Sequence, residues 1–152
     1  MRGWIIIHEY QLHEAKAYGA DAILLIAGIL ERPQLHDLHV AAQELGLESL
    51  VELYDTSEIN ILDFDIMKLI GINNRDLKTF KIDINRTFEI AKHLPDSITL
   101  VSESGIKDVE DLKRLRDAGI HSALIGEHLM KSDQPGTALR KLLDGLRDEA
   151  AR

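Results

Sequence analysis

The chain contains no cysteine. That excludes disulfides, thiolate metal sites and cysteine nucleophiles. It also lacks any apolar run near the roughly 20 residues that a membrane-spanning helix requires. The run Trp4–Ile7 is too short for the apolar core of a secretory signal. A cytoplasmic location with no membrane partner is therefore expected. Basic charge is in deficit: 18 Lys and Arg stand against 26 Asp and Glu, a formal net charge of −8. Nucleic acid is not an expected partner, because phosphate contacts along a backbone need clustered Lys and Arg. A local pocket for one small phosphate stays open. No HExxH or other zinc pattern occurs, and no glycine-rich nucleotide loop follows the first expected strand. No Pro/Gly/Ser-rich linker interrupts the chain, so residues 1–152 read as a single domain.

What is present is an ordinary globular mixture, 45% hydrophobic and 29% charged over 152 residues, long enough for a sizeable core. Short apolar runs alternate with helical patterns. Trp4–Ile7, Ala22–Ile26, Ser49–Leu53, Leu69–Asn73, Thr99–Ser102 and Ala123–Gly126 read as strands, most of them buried on both faces. A helix carrying Leu12, Ala15 and Ala17 stops at Gly19. Gln34–Leu45 is amphipathic, with Pro33 in its first turn and Gly46 behind it. Thr56–Lys68 has apolar mass without a clean period and reads as a short or irregular helix. Asn85–Leu94 is a helix capped by Asn85 or Asp83. Asp108–Ala118 opens on a capping-box-like Asp108…Asp111 and ends before Gly119. A final helix starts at Ser132 or Asp133, has Pro135 in its first turn, and lines up Leu139, Leu142, Leu143 and Leu146.

These are six strand-then-helix units at a spacing of roughly 25 residues, the span of a strand and its crossover helix. Such alternation implies a parallel sheet. An open doubly wound sheet and a closed barrel both satisfy it. The strand ends separate them, because polar groups terminate several successive strands. Glu52 ends the third, Asn73 and Arg75 the fourth, Glu103 and Ser104 the fifth, and Gly126 the sixth. Groups from many consecutive strands converge only if the strands curl into a ring. The expected fold is thus α/β, a parallel (βα) TIM-barrel type, here an incomplete barrel of six βα units.

The strand ends supply recognisable chemistry. A carboxylate at a strand mouth, such as Glu52 or Glu103, can exchange protons if partial burial raises its pKa. An amide such as Asn73 can hold a hydroxyl, and the Arg75 guanidinium can brace a carboxylate in bidentate geometry. Glycines let backbone N–H groups approach an anion. His36 and His39, three apart on one helix, lack an evident third ligand and read as a solvated face; no metal site is expected.

The segments Ala20–Ile26 (ADAILLI), Leu50–Asp55 (LVELYD), Ile70–Phe80 (IGINNRDLKTF), Leu100–Ile106 (LVSESGI) and Ala123–Met130 (ALIGEHLM) resemble the indole-3-glycerol-phosphate synthase family. They occur in the family's order and span nearly the whole chain. INNRDLKTF together with VSESGI is the specific part. The family enzyme is a (βα)8-barrel lyase of tryptophan biosynthesis. It ring-closes, decarboxylates and dehydrates a carboxyphenylamino-deoxyribulose phosphate, and the resemblance implies no cofactor. It also assigns roles: Glu52 as general base, Asn73 as a substrate-orienting group and Glu103 as a second acid. Arg75 and Leu77 would bind substrate, Leu77 as an apolar wall. Ser104, Gly105, Gly126 and Glu127 would form a phosphate cradle, with Glu127 giving its backbone N–H while its carboxylate points away.

The six units match the third through eighth units of the family barrel. The family's first-strand lysine and glutamate have no counterpart here, and Arg2 stands at the position of its general-acid lysine. Arginine holds its proton and is a poor acid. The leading expectation is a truncated relative that keeps binding of a phosphorylated small molecule or phosphate ion, with little or no turnover. Two alternatives stand beside it. One is an active synthase completed by a partner chain; the other is a non-enzymatic, self-assembling half-barrel. Open edges at Trp4–Ile7 and Ala123–Gly126 invite pairing with another copy, so a homodimer or higher homo-oligomer is expected.

Overall fold

The strands form where leucine, isoleucine and valine crowd together, and several of them stop where the side chains turn polar. In the computed structural model, residues 5–76 and 79–150 are described. Five strands are present, β1 (Ala22–Ile26), β2 (Glu48–Leu53), β3 (Leu69–Asn73), β4 (Thr99–Glu103) and β5 (Ser122–Leu124). Their hydrogen-bonded order is β1-β2-β3-β4-β5. β1 runs parallel to β2, from Ala22 opposite Glu48 to Ile26 opposite Glu52, and β4 parallel to β5, from Val101 opposite Ser122 to Glu103 opposite Leu124. The order never reverses, so there is no topological switch point of the doubly wound kind. Sequential parallel strands with helical crossovers are the TIM-barrel pattern, as the strand ends imply.

The chain divides into two compact units. The first comprises Met1–Gly71 and His93–Thr99. It contains α1 (Glu9–Ala17), β1, a 3-10 turn at Ala27–Ile29, α2 (Arg32–Glu44), β2, a second 3-10 turn at Thr56–Ile61 and the start of β3. Leu35, Leu38 and Ala42 recur on one side of α2 and are buried, as are Ile23, Leu25, Val51 and Leu53 of the strands. Each of the leucine, isoleucine and valine side chains contributes about 1.5–3 kcal/mol when fully removed from water. The irregular stretch after β2 is held by a capping box. Asp55 Oδ1 accepts from the Ser57 N–H at 2.9 Å, and Glu58 Oε2 accepts back from the Asp55 N–H at 3.3 Å and also from the Tyr54 N–H at 2.7 Å.

Two expectations are corrected in this unit. The described part of Trp4–Ile7, residues Ile5–Ile7, is not a strand. Its backbone groups are bonded to side chains instead of a ladder. Gln11 accepts from the Ile7 N–H at 2.8 Å and donates to the Ile5 carbonyl at 2.9 Å, while Gln34 donates to the Ile7 carbonyl at 2.8 Å. Backbone satisfied in this way gains nothing from a neighbouring strand. Ile6 is buried while Ile5 and Ile7 are exposed. Among the described residues the strand count is therefore five, and β1 ends the sheet on that side. Arg2, Trp4 and Leu77 lie outside the described residues. The second correction is His39. His36 is exposed, but His39 is 2% exposed, so the two rings do not share a solvated face. Burial pushes the His39 pKa down, partly offset by the nearby Ile66 backbone, Glu48 and Asp63.

The second unit comprises Ile72–Lys92 and Leu100–Arg152. It contains the end of β3, α3 (Asn85–Ala91), most of β4, α4 (Val109–Asp117), β5, α5 (Glu127–Met130) and α6 (Pro135–Ala150). Asp83 accepts from the Asn85 N–H at 3.0 Å at the start of α3. Asp108 caps α4 by accepting from the Asp111 N–H at 3.0 Å. Asp111 reaches back to the Lys107 N–H at 3.1 Å, one residue short of a strict capping box. Ile106, Leu115 and Ile120 form the core cluster, with Ile84, Phe88, Ala91, Leu100, Leu112 and Ile125 packed on it. On α6, Leu142 is buried whereas Leu139 and Leu143 are exposed. The leucine stripe read from the sequence is wider than the surface it covers.

Candidate functional site

The site is built from three loops of the second unit, those after β3, β4 and β5. After β3, Asn73 folds its side chain back so that Oδ1 accepts from the Arg75 N–H at 3.0 Å, an Asx-turn. Arg75 then pairs with Ile82 in an isolated antiparallel bridge, and the Asp76 N–H donates to the Lys81 carbonyl at 2.8 Å. The Arg75 arm is thus a braced segment. After β4, Ser104 and Gly105 both have positive φ, 66° and 79°. Glycine takes this conformation freely; a serine is held in it at about 1–2 kcal/mol. A Cβ on Gly105 would lie 2.3 Å from Ile82 Cγ2, so only glycine fits this approach. After β5, Gly126 leads into α5, and a Cβ there would meet nothing within 4 Å.

Arg75, Ser104, Gly105, Ile106, Leu124, Ile125, Gly126, Glu127 and His128 wall one cavity of about 180 Å³. Five of these are residues assigned from the sequence: Arg75, Ser104, Gly105, Gly126 and Glu127. One expectation about them fails. The Glu127 carboxylate does not point away; it pairs with the Arg75 guanidinium and with Lys131 Nζ at 2.5 Å. Hydrogen bonds from Lys131 and Arg75 hold the Glu127 carboxyl below the usual carboxylate range. The carboxylate therefore already occupies the Arg75 guanidinium.

Asn73 and Glu103 are buried at the ends of their strands and are not among the cavity's walls. Glu52 ends β2 in the first unit and is likewise buried. Leu77 is outside the described residues. Among the described residues, no cluster of three or more His, Cys, Asp or Glu could hold a metal ion. No helix of the described residues is long and apolar enough to cross a membrane.

Sequence reasoning missed Asn74, which is fully buried behind the cavity. Its amide bonds to Ser102, Ser104 and Thr87. The only sequence signal is a second asparagine beside Asn73; nothing along the chain links it to Thr87 or Ser102.

A five-stranded, sequentially ordered parallel sheet with polar loops clustered after β3, β4 and β5 defines a TIM-barrel-type α/β protein. Solved structures agree. The chain superposes on 3-hexulose-6-phosphate synthase from Salmonella typhimurium with a TM-score of 0.77 at 14% identity, covering 94% of this chain and 70% of that one. On KGPDC from Streptococcus mutans the TM-score is 0.65 at 16% identity, covering 92% and 66%. At such identities the likeness concerns the fold alone. Residues 3–142 match the family model described as indole-3-glycerol phosphate synthase. The chain belongs to that family. Proteins named indole-3-glycerol phosphate synthase from Salinibacter ruber and Desulfotalea psychrophila are 48% and 50% identical to it, each over 142 residues and 93% of this chain. The chain spans about half their length, 53% and 55%.

Proposed function

We propose that this chain binds the phosphate of a phosphorylated small-molecule substrate in the cavity walled by Arg75, Ser104, Gly105, Gly126 and Glu127, as part of an indole-3-glycerol-phosphate-synthase-type site. The observation that carries the reading is the convergence of these five residues, from three separate loops, on one cavity. Backbone N–H groups of Gly105 and Gly126 approach the anion, Ser104 adds a hydroxyl, and Arg75 supplies charge once Glu127 yields it. Asn73 orients the sugar chain. By family resemblance alone, Glu52 keeps the role of general base and Glu103 that of a second acid in closing the substrate to an indole with loss of carbon dioxide and water. No cofactor takes part.

These 152 residues carry the phosphate end of the site and, on their own, little turnover; full activity belongs with groups that the family places elsewhere on its barrel. Calorimetry with inorganic phosphate and with a phosphorylated substrate analogue tests the binding. Saturable heat, with affinity weakened severalfold in a Gly126→Ala variant of unchanged stability, is expected. No binding at millimolar ligand by a folded chain would reject the reading. The turnover claim is tested by indole fluorescence from the anthranilate-derived substrate. A robust signal abolished by Glu52→Gln would replace it with the working-synthase reading.

We also propose that copies associate through the β5 edge. β5 ends the sheet, and Ala123 and Leu124 on it are exposed. Unpaired edge strands recruit further strands. A stable monomer by light scattering at micromolar concentration would overturn this. A cytoplasmic location is proposed on kinship alone.

A further inference from the structure

We propose that Asn74 is a positioning residue for anion binding: its buried carboxamide holds the Ser104–Gly105 loop in the left-handed conformation that shapes the cavity. The inference rests on the proposed phosphate site and adds a residue that never touches the ligand.

The carboxamide is used at both ends. Nδ2 donates to Ser102 Oγ and to the Ser104 carbonyl, each at 3.1 Å. Oδ1 accepts from the Thr87 N–H at 3.2 Å and from Thr87 Oγ1 at 2.8 Å. Thr87 Oγ1 and Ser102 Oγ lie 2.9 Å apart. The Asn74 main chain joins in. Its N–H donates to the Glu103 carbonyl at 2.9 Å, and its carbonyl accepts from the Asp83 N–H at 3.0 Å. One residue thus ties the end of β3 to the end of β4 and the start of α3. Asn74, Thr87 and Ser102 are all fully buried, so these bonds have no water to replace them, and losing one leaves a polar atom unsatisfied.

The link to the ligand is the Nδ2 bond to the Ser104 carbonyl. Ser104 sits at φ 66°, a state that a serine leaves unless its surroundings enforce it. The peptide plane fixed by that bond carries the Gly105 N–H. Where the Ser104 carbonyl points decides where the Gly105 N–H points, because the two lie in one rigid plane. Asparagine suits the position because it donates and accepts from one planar group. Aspartate keeps the acceptor for Thr87 but sets a carboxylate oxygen against the Ser104 carbonyl.

The test uses Asn74→Asp, with inorganic phosphate as probe and the backbone chemical shifts of Ser104 and Gly105 as the conformational readout. Ile120→Val, at a core residue that neither lines the cavity nor bonds to the Asn74 network, serves as a control for loss of stability alone. The expected result is at least a tenfold weaker phosphate Kd in Asn74→Asp, with Ser104 shifts leaving the left-handed range. In Ile120→Val the Kd stays within twofold. Should Asn74→Asp fail to fold, Thr87→Val takes its place. It removes one bond that orients the carboxamide, and a severalfold weaker Kd with the same shift changes is expected. Either folded variant binding phosphate like the unmodified chain, with Ser104 shifts unmoved, would overturn the inference. An unmodified chain that binds no phosphate, yet whose Ser104 shifts collapse in Asn74→Asp, would sink the phosphate reading and leave Asn74 as holder of the loop only.

Discussion

Replacing Gly105 with alanine separates two costs that the structure measures independently. The first is backbone strain. At φ 79° an alanine pays roughly 1–2 kcal/mol for the left-handed conformation. The second is overlap, since its Cβ would lie 2.3 Å from Ile82 Cγ2. Relieving such overpacking costs about 1–3 kcal/mol. The stiffer unfolded chain returns about 0.4–1 kcal/mol. The net expectation is roughly 1–4.6 kcal/mol of destabilisation, read as a lower urea midpoint at unchanged slope. Ile82→Ala removes Cγ2 and leaves Ile82 Cβ, 3.8 Å from the new methyl. In that background Gly105→Ala should retain the strain and lose the overlap. The cycle should therefore show a coupling of about 1–3 kcal/mol favouring the double variant. Additivity within about 0.5 kcal/mol, or a single variant as stable as the parent, would refute the argument.

Gly126→Ala should leave stability within about 0.5 kcal/mol, because its Cβ meets nothing within 4 Å, while weakening phosphate binding severalfold in calorimetry. Equal affinity would remove Gly126 from the cradle. Glu127→Gln should tighten phosphate binding by releasing Arg75; weaker binding would show that the carboxylate does not compete with the anion. His39 makes stability depend on pH. Its folded pKa lies below the ordinary value of 6.5, so the unfolded chain binds the extra proton first. Its contribution is fully present above pH 6.5 and declines as pH falls through 6.5 toward the folded pKa. Urea midpoints between pH 8 and pH 5 should fall more steeply in the parent than in His39→Leu; parallel curves would contradict this.

The readable parts were those in which one local rule dominates. β1 and β3 coincide with Ala22–Ile26 and Leu69–Asn73, because short isoleucine- and leucine-rich runs of this length fit a buried strand. Helix ends at Gly19 and Gly46 follow from the left-handed turn that each supplies. Ile5–Ile7 misled, because the same apolar signal describes a strand and an extended segment whose backbone is bonded by glutamines. His39 misled because its spacing from His36 placed both on one helix without saying which face that helix buries.

The sequence by itself determined the alternation of strands and helices, the parallel barrel-type class, the family, and five of the residues that wall the cavity. These depend on composition, period and short motifs, which are local. Only the tertiary structure decided what those residues do to one another. Arg75 and Glu127 stand 52 positions apart, and Asn74 meets Ser104 across 30. Contacts of that separation are fixed by how β3, β4 and β5 pair and how their loops turn. Proximity then makes one of them an exposed ion pair and the other a buried, satisfied amide, and no spacing along the chain encodes it.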